Sequence, residues 1–151
     1  MVEQFPEGSD QRRSFRYPVA LQALVINEQQ DQSPALVTNI SRDGLRLEGD
    51  RLLVEQVFPN YRQHRGLRQQ QLELHMALNE GQALSTDNAI RLVCTSVYVL
   101  RLTKKRYQIG VCFRHIDEDY RSKLEQLIAQ LEAVHTLEEI RQSRHPSSEN
   151  S

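Results

Sequence analysis

Residues 35–48, ALVTNISRDGLRLE, have the pattern of a strand, a turn and a second strand. Ala35 to Ile40 is short, apolar and rich in β-branched residues, whereas Leu45 to Glu48 alternates apolar and charged residues. Both patterns are typical of half-buried β-strands. Asp43-Gly44, which lies between them, is a turn dipeptide. We therefore predict two consecutive strands that are joined by a tight turn.

Similar runs lie on both sides of this stretch. We predict further strands at Val19–Ile26, Leu72–Leu78, Ile90–Leu102 and Tyr107–Phe113. Polar residues from Asn27 to Pro34 separate the first two strands, so a hairpin there returns Asn39 and Ser41 toward the start of the first strand. The less regular region 51–71 is expected to be a connector that can hold a short helix. Several short antiparallel strands favour a mainly β fold, a small antiparallel barrel, over a parallel sheet.

The C-terminal part of the chain has helical periodicity. Asp117 is a suitable N-cap, and Glu118 and Asp119 suit the positive end of a helix. Apolar residues then recur at steps of three and four, at Tyr120, Leu124, Leu127, Ile128, Leu131 and Val134, and Leu137 with Ile140 is expected to extend this stripe. A long helix is predicted over 117–142, between a barrel domain over 11–116 and a disordered tail over 143–151, with a flexible leader over 1–10. It would be ~38 Å long, so its surplus apolar face is expected to dock a partner or a second copy.

A cluster of arginines precedes the first strand. Arg12, Arg13 and Arg16 lie within five positions, and each guanidinium can pair with a phosphate or a guanine edge. The predicted hairpin brings Asn39 and Ser41, with an amide and a hydroxyl, toward this cluster. The two segments together predict a site for an anionic ligand that contains purine bases.

These residues carry a family resemblance. RxxxR at Arg12 to Arg16, followed by NxSxxG at Asn39 to Gly44, resembles the paired signature of PilZ domains, and the strand at Tyr107–Phe113 is similar to the closing strand of that family. The resemblance implies a PilZ-like split barrel over 11–116 that binds the bacterial second messenger cyclic di-GMP. It also implies that the protein is a receptor or adaptor, whose arginine segment closes over the ligand and alters a surface read by an effector protein.

The candidate ligand-binding residues are Arg12, Arg13, Arg16, Asn39, Ser41, Gly44 and Arg46. Arg12 and Arg16 are expected to be stronger contacts than Arg13, the middle residue of the motif. Asn39 replaces the aspartate that the family also accepts, which predicts somewhat weaker binding because an amide lacks full charge. Gly44 is expected to be a turn residue with positive φ. Arg46 either reaches a phosphate or is an exposed strand arginine.

Composition narrows the classes of function. The chain has 151 residues, with 19 basic and 20 acidic residues, a formal charge of −1 and a pI of about 6.5. Such a balance argues against a general DNA or RNA binder and favours a small anionic ligand. We expect a cytoplasmic protein with no membrane insertion, because the sequence has neither a signal peptide nor an apolar stretch of ~20 residues. Cys94 and Cys112 are interpreted as buried thiols, with an interstrand disulfide as the alternative.

No pattern indicates catalysis. The five histidines are scattered, without the spacing of a metal site, and a strand would place Cys112 and His115 on opposite faces. We therefore expect no enzyme, no catalytic residue, no metal and no cofactor other than the ligand. Two alternatives remain open: an adaptor barrel that acts through protein contacts without nucleotide, and a binder of short oligonucleotides.

Overall fold

The computed structural model describes residues 15–59, 61, 68–85 and 87–143. Its elements, in chain order, are β1 (Tyr17–Ile26), β2 (Gln32–Ile40), β3 (Gly44–Gly49), α1 (Arg51–Val57), β4 (Gln71–Ala77), β5 (Ala89–Arg101), β6 (Tyr107–His115) and α2 (Glu118–Ser143). The predicted leader at 1–10 and the tail beyond Ser143 lie outside the described residues.

The six strands form one closed antiparallel barrel. Their order around the barrel is β1-β2-β3-β6-β5-β4, and β4 pairs with β1 to close it. The prediction of a mainly β fold with a small antiparallel barrel and a C-terminal helix is confirmed. The two signature segments lie at β1, β2 and β3. Because β6 pairs with β3 and β5 pairs with β6, these two strands continue the same wall of the barrel.

The barrel interior is filled by alternate residues of the strands. Leu21, Val37, Leu47, Leu74 and Ile109 are all at most 1% exposed. Both helices contribute to the same core through their buried residues, which are Leu53, Val54 and Val57 of α1 and Leu124, Leu127 and Ile128 of α2. Side chains that alternate with the interior set face outward, and these are the side chains available to a ligand.

Helix α2 packs against β1 and β5 and begins one residue after Asp117, whose carbonyl accepts from the Arg121 amide at 2.8 Å. The prediction that Leu137 and Ile140 extend the stripe along the same face of the helix is wrong. Leu131 packs against the core, but Val134, Leu137 and Ile140 are exposed. Leu137 follows the buried Ile128 by nine residues, about two and a half turns, and therefore lies on the opposite side of the helix.

None of the helices that the structure describes is long and apolar enough to cross a membrane.

The two cysteines are thiols and do not form the alternative interstrand disulfide. Cys94 is buried in the barrel, and this burial raises the pKa of its thiol well above the ordinary value. Cys112 is only partly buried, so the expectation of two buried thiols holds for Cys94 alone.

Candidate ligand-binding surface

One cross-strand row joins residues that are far apart in the sequence. Pro18 of β1 pairs with Asn39 of β2, Asn39 with Arg46 of β3, Arg46 with Gly110 of β6, and Gly110 with Tyr98 of β5. Directly paired residues in adjacent strands point to the same face of a sheet. The row therefore places an amide, a guanidinium and an aromatic ring side by side on the outer wall of the barrel.

The two halves of the predicted signature meet at one end of this row. Arg16 immediately precedes β1, and its Nη1 donates to Asn39 Oδ1 at 3.0 Å. The contact forms because Tyr17 and Ile40 pair in the β1–β2 hairpin, which brings their neighbours together. Arg12 and Arg13 lie outside the described residues. The structure thus shows the juxtaposition for one arginine of the three.

Arg16 and Arg46 are close enough to repel one another. Burial lowers the pKa of Arg16 from its ordinary value, and the charge of Arg46 lowers it further, while Tyr98 and Asp43 act in the opposite direction. Arg46 is half-buried, so the interpretation as an exposed strand arginine is wrong, and its Nε is buried without a hydrogen-bond partner. A bound anion would offset the repulsion between the two guanidiniums.

Tyr98 covers the middle of the row. A Cβ atom added to Gly110 would lie 2.1 Å from Cε2 of the Tyr98 ring, so the ring lies across the space that only glycine leaves open. The Tyr98 hydroxyl accepts a hydrogen bond from Arg46 and donates one to Gln108 Oε1 at 3.2 Å. Burial raises the pKa of Tyr98 and opposes the effect of the two arginines. The ring is held in place as a flat surface beside the guanidiniums.

Ser41 and Gly44 shape the adjacent loop. Ser41 is 1% exposed, and its hydroxyl accepts from the amides of Asp43 at 3.2 Å and Gly44 at 3.3 Å. Its own amide donates to the Gly44 carbonyl at 2.8 Å. These bonds close the turn, so the side chain of Ser41 holds the loop in shape, and its predicted contact with a ligand stays a prediction.

Gly44 is required for a reason other than the predicted one. Its φ is not positive, so the prediction of a positive-φ turn residue is wrong. Gly44 begins β3 opposite Cys112 of β6, and an added Cβ would lie 2.1 Å from the carbonyl oxygen of Val111. The close approach of these two backbones excludes any side chain.

The same end of the barrel contacts the distal half of α2. The ring of Phe15, next to Arg16, lies 4.4 Å from the ring of His135, and Tyr17 completes the cluster. Arg42, in the turn between Ser41 and Gly44, lies 3.7 Å from Glu132, which also accepts a hydrogen bond from Tyr17. Both segments of the candidate site therefore contact one helix.

The sequence patterns above do not single out Tyr98 or Gly110. Both lie in runs that predict strands. Gly110 belongs to the stretch that resembles the closing strand of the family, but the resemblance assigns no role to Gly110 or to Tyr98. The one available signal is Gly110 itself, because a glycine inside a strand often marks a close approach by a neighbouring group. Identifying that neighbour requires the β5–β6 register.

The sequence matches the family model for the PilZ domain over residues 10–130. The chain belongs to the PilZ domain family. This span contains both signature segments, all six strands and half of α2. Among curated proteins, none matches this chain.

Solved structures of PilZ-domain proteins have a similar fold. K. pneumoniae MrkH in complex with c-di-GMP has a TM-score of 0.58 and 14% identity, over 84% of this chain and 55% of that one. Bacillus subtilis MotI/DgrA, an inhibitor of motility, has a TM-score of 0.53 and 18% identity, over 79% and 50%. A further MrkH structure, described as a c-di-GMP-dependent transcription regulatory factor, has a TM-score of 0.55 and 14% identity, over 80% and 50%.

At these identities the likeness shows the fold alone. The PilZ chain described here spans about half the length of each of these structures.

Proposed function

We propose that this PilZ protein binds cyclic di-GMP on the outer wall formed by Arg16, Asn39, Arg46 and Tyr98, and acts as a ligand-responsive receptor or adaptor. The observation that carries the proposal is the Arg16–Asn39 hydrogen bond beside Arg46, a second guanidinium that repels Arg16 and donates to the Tyr98 hydroxyl. Family membership and a c-di-GMP complex of the similar MrkH structure support the same ligand.

The chemistry of the surface suits this ligand. Cyclic di-GMP presents two phosphates and two guanines. Arg16 and Arg46 can each donate two hydrogen bonds to a phosphate or to O6 and N7 of guanine. The Tyr98 ring offers a face on which a base can stack. By the family pattern, Arg12 and Arg13 supply further guanidiniums, with Ser41 and Gly44 shaping the loop.

The signal would travel through α2. When the arginine segment closes on the ligand, Phe15 must move or become fixed with it, because it is the neighbour of Arg16. Phe15 contacts His135, and Arg42 contacts Glu132. Ligand binding therefore changes the contacts of both residues of α2, which alters a surface that an effector protein can recognise.

Calorimetry with cyclic di-GMP tests the proposal. The wild-type protein is expected to give saturable heat, and Arg16→Ala should weaken binding at least tenfold, because a charge-assisted hydrogen bond contributes about 1.5–3 kcal/mol. Arg91→Ala is the matched control, since Arg91 is an exposed arginine at the start of β5 that pairs with His75 of β4, outside the row described above. It should bind like the wild type.

Two results would contradict the proposal. One is the absence of heat at high micromolar ligand in a sample whose circular dichroism shows a folded barrel. The other is an equal loss of affinity in Arg16→Ala and Arg91→Ala, which would indicate a nonspecific effect of charge.

An adaptor role without nucleotide is the second candidate. The exposed Val134, Leu137 and Ile140 favour it, because a helix that served only the barrel would have no need of them. It predicts that effector binding is unchanged in Arg16→Ala.

The absence of DNA and RNA binding stays a prediction. MrkH is described as a transcription regulatory factor, so fluorescence anisotropy with duplex DNA at low salt is the relevant measurement.

A further inference from the structure

Helix α2 has two apolar faces on opposite sides. Leu124, Ile128 and Leu131 face the barrel, and each is followed nine residues later by an apolar residue, which is Ala133, Leu137 and Ile140 respectively. Nine residues are about two and a half helical turns. The second set therefore points directly away from the barrel.

This outward face is free of charge over five turns of the helix. Its residues are Ser122, Gln126, Ala129, Gln130, Ala133, Thr136, Leu137 and Ile140. Leu137 is 62% exposed and Ile140 46% exposed. The stripe is half polar, but it becomes apolar toward its C-terminal end, and an uncharged stripe with an apolar end on an otherwise charged helix is typical of a helix that pairs with another.

Between Ser122 and Arg141 the charged residues beside the stripe are sorted by sign, although Arg121, just before it, lies on the acidic side. Glu125, Glu132 and Glu139 recur every seven residues along one flank, whereas Lys123 and Arg141 lie on the other. Glu132 also contacts Arg42, and Glu139 contacts His135 at 3.2 Å, in the same chain. The acidic and basic flanks can complement each other only across two helices.

We propose that the outward face of α2 pairs with the same face of a second copy, with the two helices parallel. A two-fold axis along the helices places the acidic flank of one copy beside the basic flank of the other. An antiparallel pair would instead place like flanks together, with glutamate facing glutamate. The barrels lie on the outer sides of the pair and do not obstruct it.

The surface that this pairing buries is small. The apolar end of the stripe, from Ala133 to Ile140, spans only about two turns of the helix. The area that two such ends can bury is far below the ~1,200–2,000 Å² of a stable interface. A second copy bound through this face alone is therefore in rapid equilibrium with the monomer. Dimer formation should rise with concentration.

Sedimentation velocity from about 10 to about 500 µM, the range suited to a weak interface, tests the pairing. The wild type should shift from monomer toward dimer, and Leu137→Glu should remain monomeric. Leu52→Glu is the matched control, because Leu52 is a leucine of α1 that is 54% exposed and should leave dimerisation unchanged. Circular dichroism establishes that each variant is folded.

Arg141→Glu tests the orientation in the same assay. In the parallel pair it places two carboxylates together and should weaken the dimer about two- to fivefold, as for an exposed ion pair. The double variant Glu139→Arg with Arg141→Glu should restore it. A wild-type monomer at every concentration, or a dimer that survives Leu137→Glu, would overturn the pairing. An unchanged or stronger dimer in Arg141→Glu would overturn the parallel orientation.

Discussion

Gly44 and Gly110 each leave a space that a methyl group would fill, but the atoms around the two spaces differ. At Gly44 the nearest atom is the backbone oxygen of Val111, and at Gly110 it is a carbon of the Tyr98 ring. A backbone carbonyl in a strand pair has little freedom to move, whereas a ring can rotate about its side-chain bonds. Substitution by alanine should therefore cost more stability at Gly44 than at Gly110.

Gly44→Ala should destabilise the barrel. The added Cβ would force β3 and β6 apart, at a cost of about 1–3 kcal/mol in the free energy of unfolding. Urea denaturation followed by circular dichroism measures the change. Gly110→Ala is the comparison and should cost less, because the Tyr98 ring can give way. A loss of stability in Gly110→Ala as large as that in Gly44→Ala would contradict this reading of the two spaces.

Tyr98 tests the proposed stacking surface. Tyr98→Ala should weaken cyclic di-GMP binding about five- to a hundredfold, because stacking on an aromatic side chain contributes about 1–3 kcal/mol per base. Tyr98→Phe keeps the ring and should bind within about threefold of the wild type, because the two hydrogen bonds of the lost hydroxyl, with Arg46 and Gln108, are modest and lie within the protein. Isothermal calorimetry measures both. Equal losses in the two variants would show that the hydroxyl, and not the ring, makes the contact.

The sequence predicts the polar half of the site better than the aromatic half. Arg16 and Asn39 are recognisable because each lies in a short motif, and a local hairpin is enough to bring them together. Tyr98 meets Arg46 only through the register of β3 with β6 and of β6 with β5. That register depends on pairing between strands that are distant in the chain, which no local pattern encodes.

At the scale of elements, alternating hydrophobicity and turn residues locate the strands. The loss of that alternation after Gly49 correctly indicates a connector with the short helix α1. The faces of α2 are harder to predict, because apolar residues at steps of three and four occur on both sides of this helix. Leu131 and Leu137 therefore look continuous in sequence. In the structure the barrel contacts Leu131 but leaves Leu137 exposed, so the two residues belong to different faces of α2.

His135→Ala tests the contact between α2 and the arginine segment. Removing the imidazole ring of His135 removes its contact with the Phe15 ring. Ligand affinity should then fall about two- to tenfold, which corresponds to the free energy of one aromatic pair. Amide hydrogen exchange around residues 131–139 should slow on addition of cyclic di-GMP in the wild type and no longer respond in the variant.

His115→Ala is the control for this experiment, because His115 is an exposed histidine outside the aromatic cluster. It should keep both the affinity and the exchange response. If His135→Ala retains the full response of α2 to the ligand, the signal does not pass through Phe15.

At the scale of the whole molecule, a formal charge of −1 coexists with a concentrated positive site. Arg16 and Arg46 share one wall of the barrel. Helix α2 carries six acidic residues against three basic ones, and the acidic residues are Glu118, Asp119, Glu125, Glu132, Glu138 and Glu139. Net charge therefore argues against long polyanions but says nothing against a small one. The distribution suits a dinucleotide on one wall and protein contacts along the helix.

Amide chemical shifts, recorded as cyclic di-GMP is added to the protein, test the location of the site most directly. Shifts should concentrate at Arg16, Asn39, Arg46, Tyr98 and Gly110, with a second group in α2 near His135, and should be small along β4. Two results would contradict the proposal that the two signature segments form a cyclic di-GMP site on this wall. One is a set of shifts that concentrates on β4, and the other is a spectrum that does not change at high micromolar ligand.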